Sequence, residues 1–198
     1  MTSRKIDSEK VKKAVTMLLE ALGDDPTRPG LIETPDRVAR MYQEVFEGMN
    51  YTNDEIACMN DKMFEHVEEL GEDYVLVKDI PIFSYCEHHL ALMYNMTVHI
   101  AYIPKGKVIG LSKLGRIADM VSKRLQLQER IGTDISYIVQ KILDSNNVLV
   151  VIDGEHSCMT ARGIKKLGSS TRTVCMSGRF KNDSALRTEI FAAVSTRR

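Results

Sequence analysis

Between Asp7 and Asp25, apolar residues recur as Val11, Val15, Leu18 and Leu22 with charged residues between them. That is the spacing of one helical face, and Gly23 marks its end. After the loop "DDPTRPGLIE", the stretch "TPDRVARMYQEVFEGM" repeats the helical period through Val38, Met41, Tyr42, Val45 and Phe46. Thr34 is the expected N-cap and Pro35 the first helical residue. Residues 1–65 thus read as a helical section and 66–198 as a second domain. In that domain the period shortens to two. "DYVLVKDIPIFSYC" and "NMTVHIAYIP" read as strands, the second alternating Met96, Val98, Ile100 and Tyr102. "PKGK" is a turn, and "VIGLSKL" runs from a short strand into a helix with Ser112 as its cap. Two helical stripes follow, Leu114–Ile117–Ala118–Val121 and Ile131–Ile135–Ile138–Val139–Ile142. "NNVLVVID" and "SSTRTVCMSGRF" read as two more strands and "NDSALRTEIFAAV" as a closing helix. Strands paired around a central helical pair predict an α+β fold with an antiparallel sheet.

Composition narrows the function classes. The 198 residues carry 27 Lys plus Arg against 27 Asp plus Glu, so no overall field favours nucleic acid or a membrane surface. Any anion site must be local. The charged start has no apolar run of signal-peptide type, and no later stretch is long and apolar enough to span a bilayer, so a cytoplasmic protein is expected. Four cysteines at 58, 86, 158 and 175 are too few and too scattered for a disulfide scaffold. Cys58 and Cys175 are expected to be small buried hydrophobes.

The other two cysteines stand beside histidines. "CEHHL" places Cys86, His88 and His89 together, and "DGEHSC" places His156 two positions before Cys158. On an extended backbone His156 and Cys158 share a face, with Ser157 pointing away. Two thiols and three imidazoles suit zinc, and spacing leaves two forms open. Four protein ligands would make a closed structural site, whereas three would leave an open position with two histidines free for proton transfer. His66 and His99 have no such company and read as ordinary surface or strand residues. Ser112, Lys113 and Arg116 open a helix where an anion is favoured. Arg162, Lys165 and Lys166 follow shortly after Cys158. Glu129, beside Gln128, could accept a pair of adjacent N–H donors such as a guanine edge presents.

With "CEHHL", "HIAYIPKGKVIGLSKLGRI", "QLQER" and "HSCMTARGIKKLGSST" in this order, the sequence resembles GTP cyclohydrolase I over nearly its whole length. The resemblance implies a tunnelling fold: an antiparallel sheet with helices on one face, the sheets of neighbouring subunits joining into a barrel. It implies a homodecamer with active sites at subunit boundaries and GTP as substrate. Cys86, His89 and Cys158 match the zinc ligands, one ion per subunit, and His88 and His156 the catalytic histidines. Glu129, next to Gln128, matches the carboxylate that holds guanine. Lys113, Arg116 and Arg162 match triphosphate-binding cations, Arg37 a further one from another subunit, and Ser112 a serine near the ribose. The implied reaction is zinc-dependent hydrolysis at carbon 8, release of formate and rearrangement to 7,8-dihydroneopterin triphosphate, the first step of tetrahydrofolate and pterin biosynthesis. The chain departs from the family at "ALMYNM", where many relatives have a Pro-Phe-x-Gly-like turn. Asn95 there can adopt the left-handed backbone a glycine would supply. Two other readings are a zinc-stapled module that holds a nucleotide without turning it over, and the nitrile reductase of the same fold. The sequence lacks a motif for the latter's cysteine nucleophile or nicotinamide cofactor.

Overall fold

Asp7 caps the first helix, its carboxylate accepting from Lys10 N–H at 3.1 Å. The computed structural model describes residues 5–65 and 74–196; His66 lies outside them. The chain divides into two compact units, residues 1–51 and 52–198.

In the first unit, α1 (Ser8–Ala21) ends where Gly23 takes the left-handed conformation at φ +83°. α2 (Thr34–Val45) packs against α1, joined to it by Lys12–Asp36 at 2.8 Å and Gln43–Ser8 at 2.6 Å. Its N-cap is Glu33 and not Thr34. Glu33 already has φ −95° and ψ −5°, because the preceding turn leads into the helix without an extended residue. A short 3₁₀ turn over 47–50 closes this unit.

The second unit opens with α3 (Asn53–Met59), capped by a reciprocal Thr52–Glu55 pair. β1 (Met63–Glu65) follows, then β2 (Val75–Cys86), β3 (Ala91–Tyr102), β4 (Lys107–Ile109) and α4 (Leu111–Ser122). β5 (Leu125–Gln126) leads into α5 (Gln128–Leu143), β6 (Val148–His156), α6 (Ser157–Thr160), β7 (Thr171–Met176), α7 (Arg179–Asn182) and α8 (Ser184–Ser195). β1 and β4 form a two-stranded ribbon. The main sheet has the order β5-β2-β3-β6-β7, antiparallel except where β5 runs parallel to the end of β2.

The stripes read from the sequence on α4 and α5 are buried. α5 packs on β6 and β7, with Gly132 facing Ile152 and Cys175. The helices are not confined to one face. α8 and Phe180 cover the other, where Leu186, Ile190 and Val194 pack on Ala101, Leu149 and Val151. The reason lies in β6, whose residues 148–152 form a continuous apolar run with no polar side, so both faces need cover there. Asn95 is left-handed, at φ +49°, but sits within β3 and not in a turn. The register with β6 shifts between Tyr94 and Thr97, which makes it a bulge, and the Asn95 amide donates to Glu155 at 2.9 Å. Cys58 is exposed on α3 and Cys175 half-buried on β7, so neither is the fully buried hydrophobe expected. Among the described residues no helix is long and apolar enough to cross a membrane.

Candidate active site

β2 ends at the buried Cys86, and the chain reverses through residues 87–90 into β3. Leu90 closes this turn at φ +51°. His88 and His89 therefore project from an exposed turn, while Cys86 is anchored in the sheet. Cys158 arrives differently from the expectation. The strand stops at His156 and Cys158 lies on the single helical turn α6, so the two do not share a strand face. The chain bends there because Ser157 Oγ donates to Leu92 O at 2.7 Å and Ala161 N–H to Ser157 O at 2.9 Å. The bend still brings the thiol to its partners. Ligand atoms of Cys86, His89 and Cys158 all lie within 4.8 Å of one another.

This donor set fits zinc. Two soft thiolates and an imidazole are its usual protein ligands, and three of them leave a coordination position open. Burial pushes the Cys158 thiol up, with the neighbouring Cys86 second and Arg162 opposing. Two adjacent thiols resist ionising together, and a divalent cation removes that resistance.

Around the cluster, His88 Nδ1 lies 3.8 Å from Cys86 Sγ. Arg162 Nη1 donates to His89 Nε2 at 2.9 Å. Glu87, between the ligands in sequence, takes a forked bond from Arg130 at 2.6 and 3.0 Å, which holds its carboxyl below the usual range.

His156 and Cys158 part at the strand end. His156 Nε2 lies 2.8 Å from Gln128 Oε1. Gln128 is fully buried, and its amide nitrogen donates to Ile152 O and Thr171 O at 3.0 Å each and to Thr173 Oγ1 at 3.3 Å. Its oxygen is thereby the end turned to His156, so the imidazole carries its proton on Nε2 and leaves Nδ1 as the acceptor. Burial lowers the pKa of His156, with Glu129 acting in the opposite sense. Glu129 is exposed at the start of α5 and lines a cleft of ≈ 520 Å³ with Gly132, Thr133, Thr173, Val174, Cys175 and Met176. The parallel pairing of β5 with β2, Cys86 opposite Gln126, starts α5, with Gln128 and Glu129, two residues beyond Cys86's strand partner.

Of the proposed phosphate residues, Arg162 touches this group through His89, and the others lie on α4 and in the first unit. Ser112 and Arg116 are exposed and Lys113 half-buried on the first turns of α4. Ser112 is not the cap: Gly110 is, without a side-chain bond, which leaves the helix N-terminus open. Among the described residues neither Lys113 nor Arg116 is in an ion pair. Lys165 and Lys166 are exposed in the loop after α6. Arg37, in the first unit, is paired with Glu33 at 2.6 Å. His99 is a strand residue, on β3, and not a surface one. It is 4% exposed, accepts from Asp79 N–H at 3.1 Å, and lies 3.9 Å from Asp153. Asp153 in turn takes both arms of Arg172, at 2.7 and 2.9 Å. Gly154 was also missed: a Cβ there would lie 3.2 Å from Gln128 Oε1 and 2.9 Å from Met96 Cγ.

An antiparallel sheet that brings a Cys-x-x-His turn against a second cysteine, beside a buried glutamine bonded to a half-buried histidine, makes this an α+β protein with a donor group that could hold a metal ion. The profile of GTP cyclohydrolase I matches residues 11–195, and the chain belongs to that family. It is 60% identical to GTP cyclohydrolase 1 of Clostridium acetobutylicum over 189 residues, covering 94% of this chain and 97% of that protein. The enzyme of the same name from Ruminiclostridium cellulolyticum is 59% identical over 91% of this chain and 94% of its own length. Among solved structures, the archaeosine synthase QueF-Like in the apo form overlaps 54% of this chain and 92% of its own, at 19% identity and a TM-score of 0.42.

Proposed function

We propose that the protein converts GTP to 7,8-dihydroneopterin triphosphate and formate, with zinc held by Cys86, His89 and Cys158. The observation that carries this reading is the meeting of two thiols and an imidazole from two distant segments within 4.8 Å, with His88 and His156 outside the ligand set. Bound there, zinc supplies Lewis-acid activation of water at neutral pH.

The chain's own groups do the rest. Glu129 accepts the paired N–H donors of the guanine edge and seats the base in the cleft beside α5. His156 keeps Nε2–H on Gln128, so Nδ1 is the atom that takes up a proton and delivers it to nitrogen 7 of the purine. His88 moves protons during hydration and ring opening. Lys113, Arg116 and Arg162 bind the triphosphate, helped by the uncapped N-terminus of α4. Ser112, in the same turn, assists the ribose rearrangement. Arg37 of a second copy supplies a further cation. All of these residues except Arg37 fall within 66–198, the stretch proposed as the catalytic domain. The four long antiparallel strands are the part of a tunnelling fold that joins neighbouring sheets into a barrel, here in a decamer.

The test is incubation of purified protein with GTP, following formate and the fluorescence of the oxidised pterin, with and without a chelator. Both products, lost on chelation and restored by zinc, are expected. No formate from folded, zinc-loaded protein overturns the proposal and leaves a nucleotide-binding module.

A further inference from the structure

We propose that the Glu87–Arg130 ion pair is a positioning device that couples metal binding at the Cys86–His89 turn to base recognition by Glu129. The inference rests on the reading above, in which Cys86 and His89 hold the metal and Glu129 grips the guanine edge.

The turn that carries His88 and His89 is weakly held by its own backbone. Its internal tie is one long bond, His89 N–H to Cys86 O at 3.4 Å, and Leu90 leaves it in a left-handed conformation. Arg162 Nη1 holds the His89 ring from the α6 side at 2.9 Å, and the two other ties from outside both lead to one short segment. Glu87 N–H donates to Gln126 O at 3.1 Å. The Glu87 carboxylate receives Arg130 Nη1 on Oε2 at 2.6 Å and Nη2 on Oε1 at 3.0 Å. Gln126 and Arg130 bracket Gln128 and Glu129, so the turn is fastened on both sides of the groups that handle the base.

The two-armed bond matters more for direction than for strength. A parallel fork fixes both the distance and the plane of the carboxylate, which a single-point lysine cannot do. Both side chains are partly exposed, 44% for Arg130 and 31% for Glu87, so the pair is a weak staple for the fold as a whole. Its local consequence is larger. Released from Glu87, the Arg130 guanidinium stands one residue from Glu129 and competes for the carboxylate that the guanine donors need. Released from Arg130, the turn loses the contact that sets the angle at which His89 meets Cys86 and Cys158.

The test uses full-length protein as Glu87→Gln, Arg130→Gln and the exchanged pair Glu87→Arg with Arg130→Glu. Zinc retention is read by competition with a chromophoric chelator in the absence of GTP, and KM and kcat are read separately. Each single variant is expected to lose zinc and raise KM by about three- to tenfold, with the larger change in KM rather than kcat. The exchange is expected to restore both while the melting midpoint stays close to wild type. Unchanged zinc retention in the single variants, a change in zinc without one in KM, or no recovery on exchange overturns the coupling. If wild-type protein retains zinc but turns over no GTP, equilibrium GTP binding replaces KM, so failure of the enzymatic reading and failure of the coupling are told apart.

Discussion

Gln128 Oε1 and His156 Nε2 lie 2.8 Å apart, and Gln128 has no freedom to turn away because its amide nitrogen is shared between the carbonyls of Ile152 and Thr171. One buried amide therefore sets both the orientation and the tautomer of the imidazole proposed to carry the proton. Gln128→Met conserves volume and removes the bond. We expect kcat for GTP to fall by about 10- to 100-fold, up to the lower end of what general acid–base catalysis contributes because the imidazole itself remains, while KM moves less than about threefold. Steady-state kinetics, with a thermal melt to confirm folding, measure this. A large rise in KM at constant kcat would assign Gln128 to substrate binding instead.

Gly154 makes room for that amide. A methyl group at this position meets Met96 Cγ at 2.9 Å, Gln128 Oε1 at 3.2 Å and Met96 Cε at 3.3 Å. Met96 is buried but flexible, whereas Gln128 is held by its hydrogen bonds. Gly154→Ala should cost about 1–3 kcal/mol through overpacking and lower kcat as Gln128 shifts from His156. Urea unfolding and kinetics on one preparation separate the effects. Loss of stability at constant kcat would mean that Met96 alone absorbs the methyl.

His99 predicts an acid-sensitive fold. Burial lowers its pKa, outweighing Asp79 and Asp153, which raise it, while Arg172 and Lys78 lower it further. Below the ordinary histidine value, near 6.5, the unfolded chain takes up the proton before the folded one does, so stability falls with pH. It is complete above that value and declines as pH drops through the interval down to the folded pKa. His156, lowered by burial as well, adds in the same direction. Denaturant midpoints at pH 7.5, 6.5 and 5.5 should decline, and His99→Gln should flatten the decline in part. Equal slopes for both proteins would remove His99 from this account.

Much of this was legible in the sequence for a physical reason. The stripes of α4 and α5 are local patterns, and burial followed them; on β3 the alternating Met96, Val98, Ile100 and Tyr102 are buried, but so are His99 and Ala101 between them. Cys86, His89 and Cys158 stood out because thiols and imidazoles are scarce and these lie close together. What stayed hidden depends on contacts between distant segments. The fork of Arg130 on Glu87 and the contact of Gln128 with His156 arise from the parallel pairing of β5 with β2 and the packing of α5 on β6. No spacing rule reaches that far. The face covered by α8 was hidden likewise, although the unbroken apolar run of β6 was a signal that both sides need cover. The strand geometry assumed for His156 and Cys158 failed because serine-led turns compete with extension: Ser157 bonds back to Leu92 and starts α6.

Chelation supplies a test that needs no substrate. The three candidate ligands lie at the end of β2, in its following turn and on α6, so an ion bound there would clip two segments that belong to different parts of the sheet. An ion present at about a thousand times its dissociation constant stabilises the native state by about 4 kcal/mol. Removing zinc with a chelator should therefore lower the melting midpoint by several degrees, and Cys86→Ala should lower it without chelator and abolish the response. Thiol titration gives an independent reading on the same samples. Cys58 is exposed and should react first in the zinc-loaded protein, whereas Cys86 and Cys158 should become reactive only after chelation. Were both to react at the same rate with and without chelator, they would not be the ligands, however close they lie.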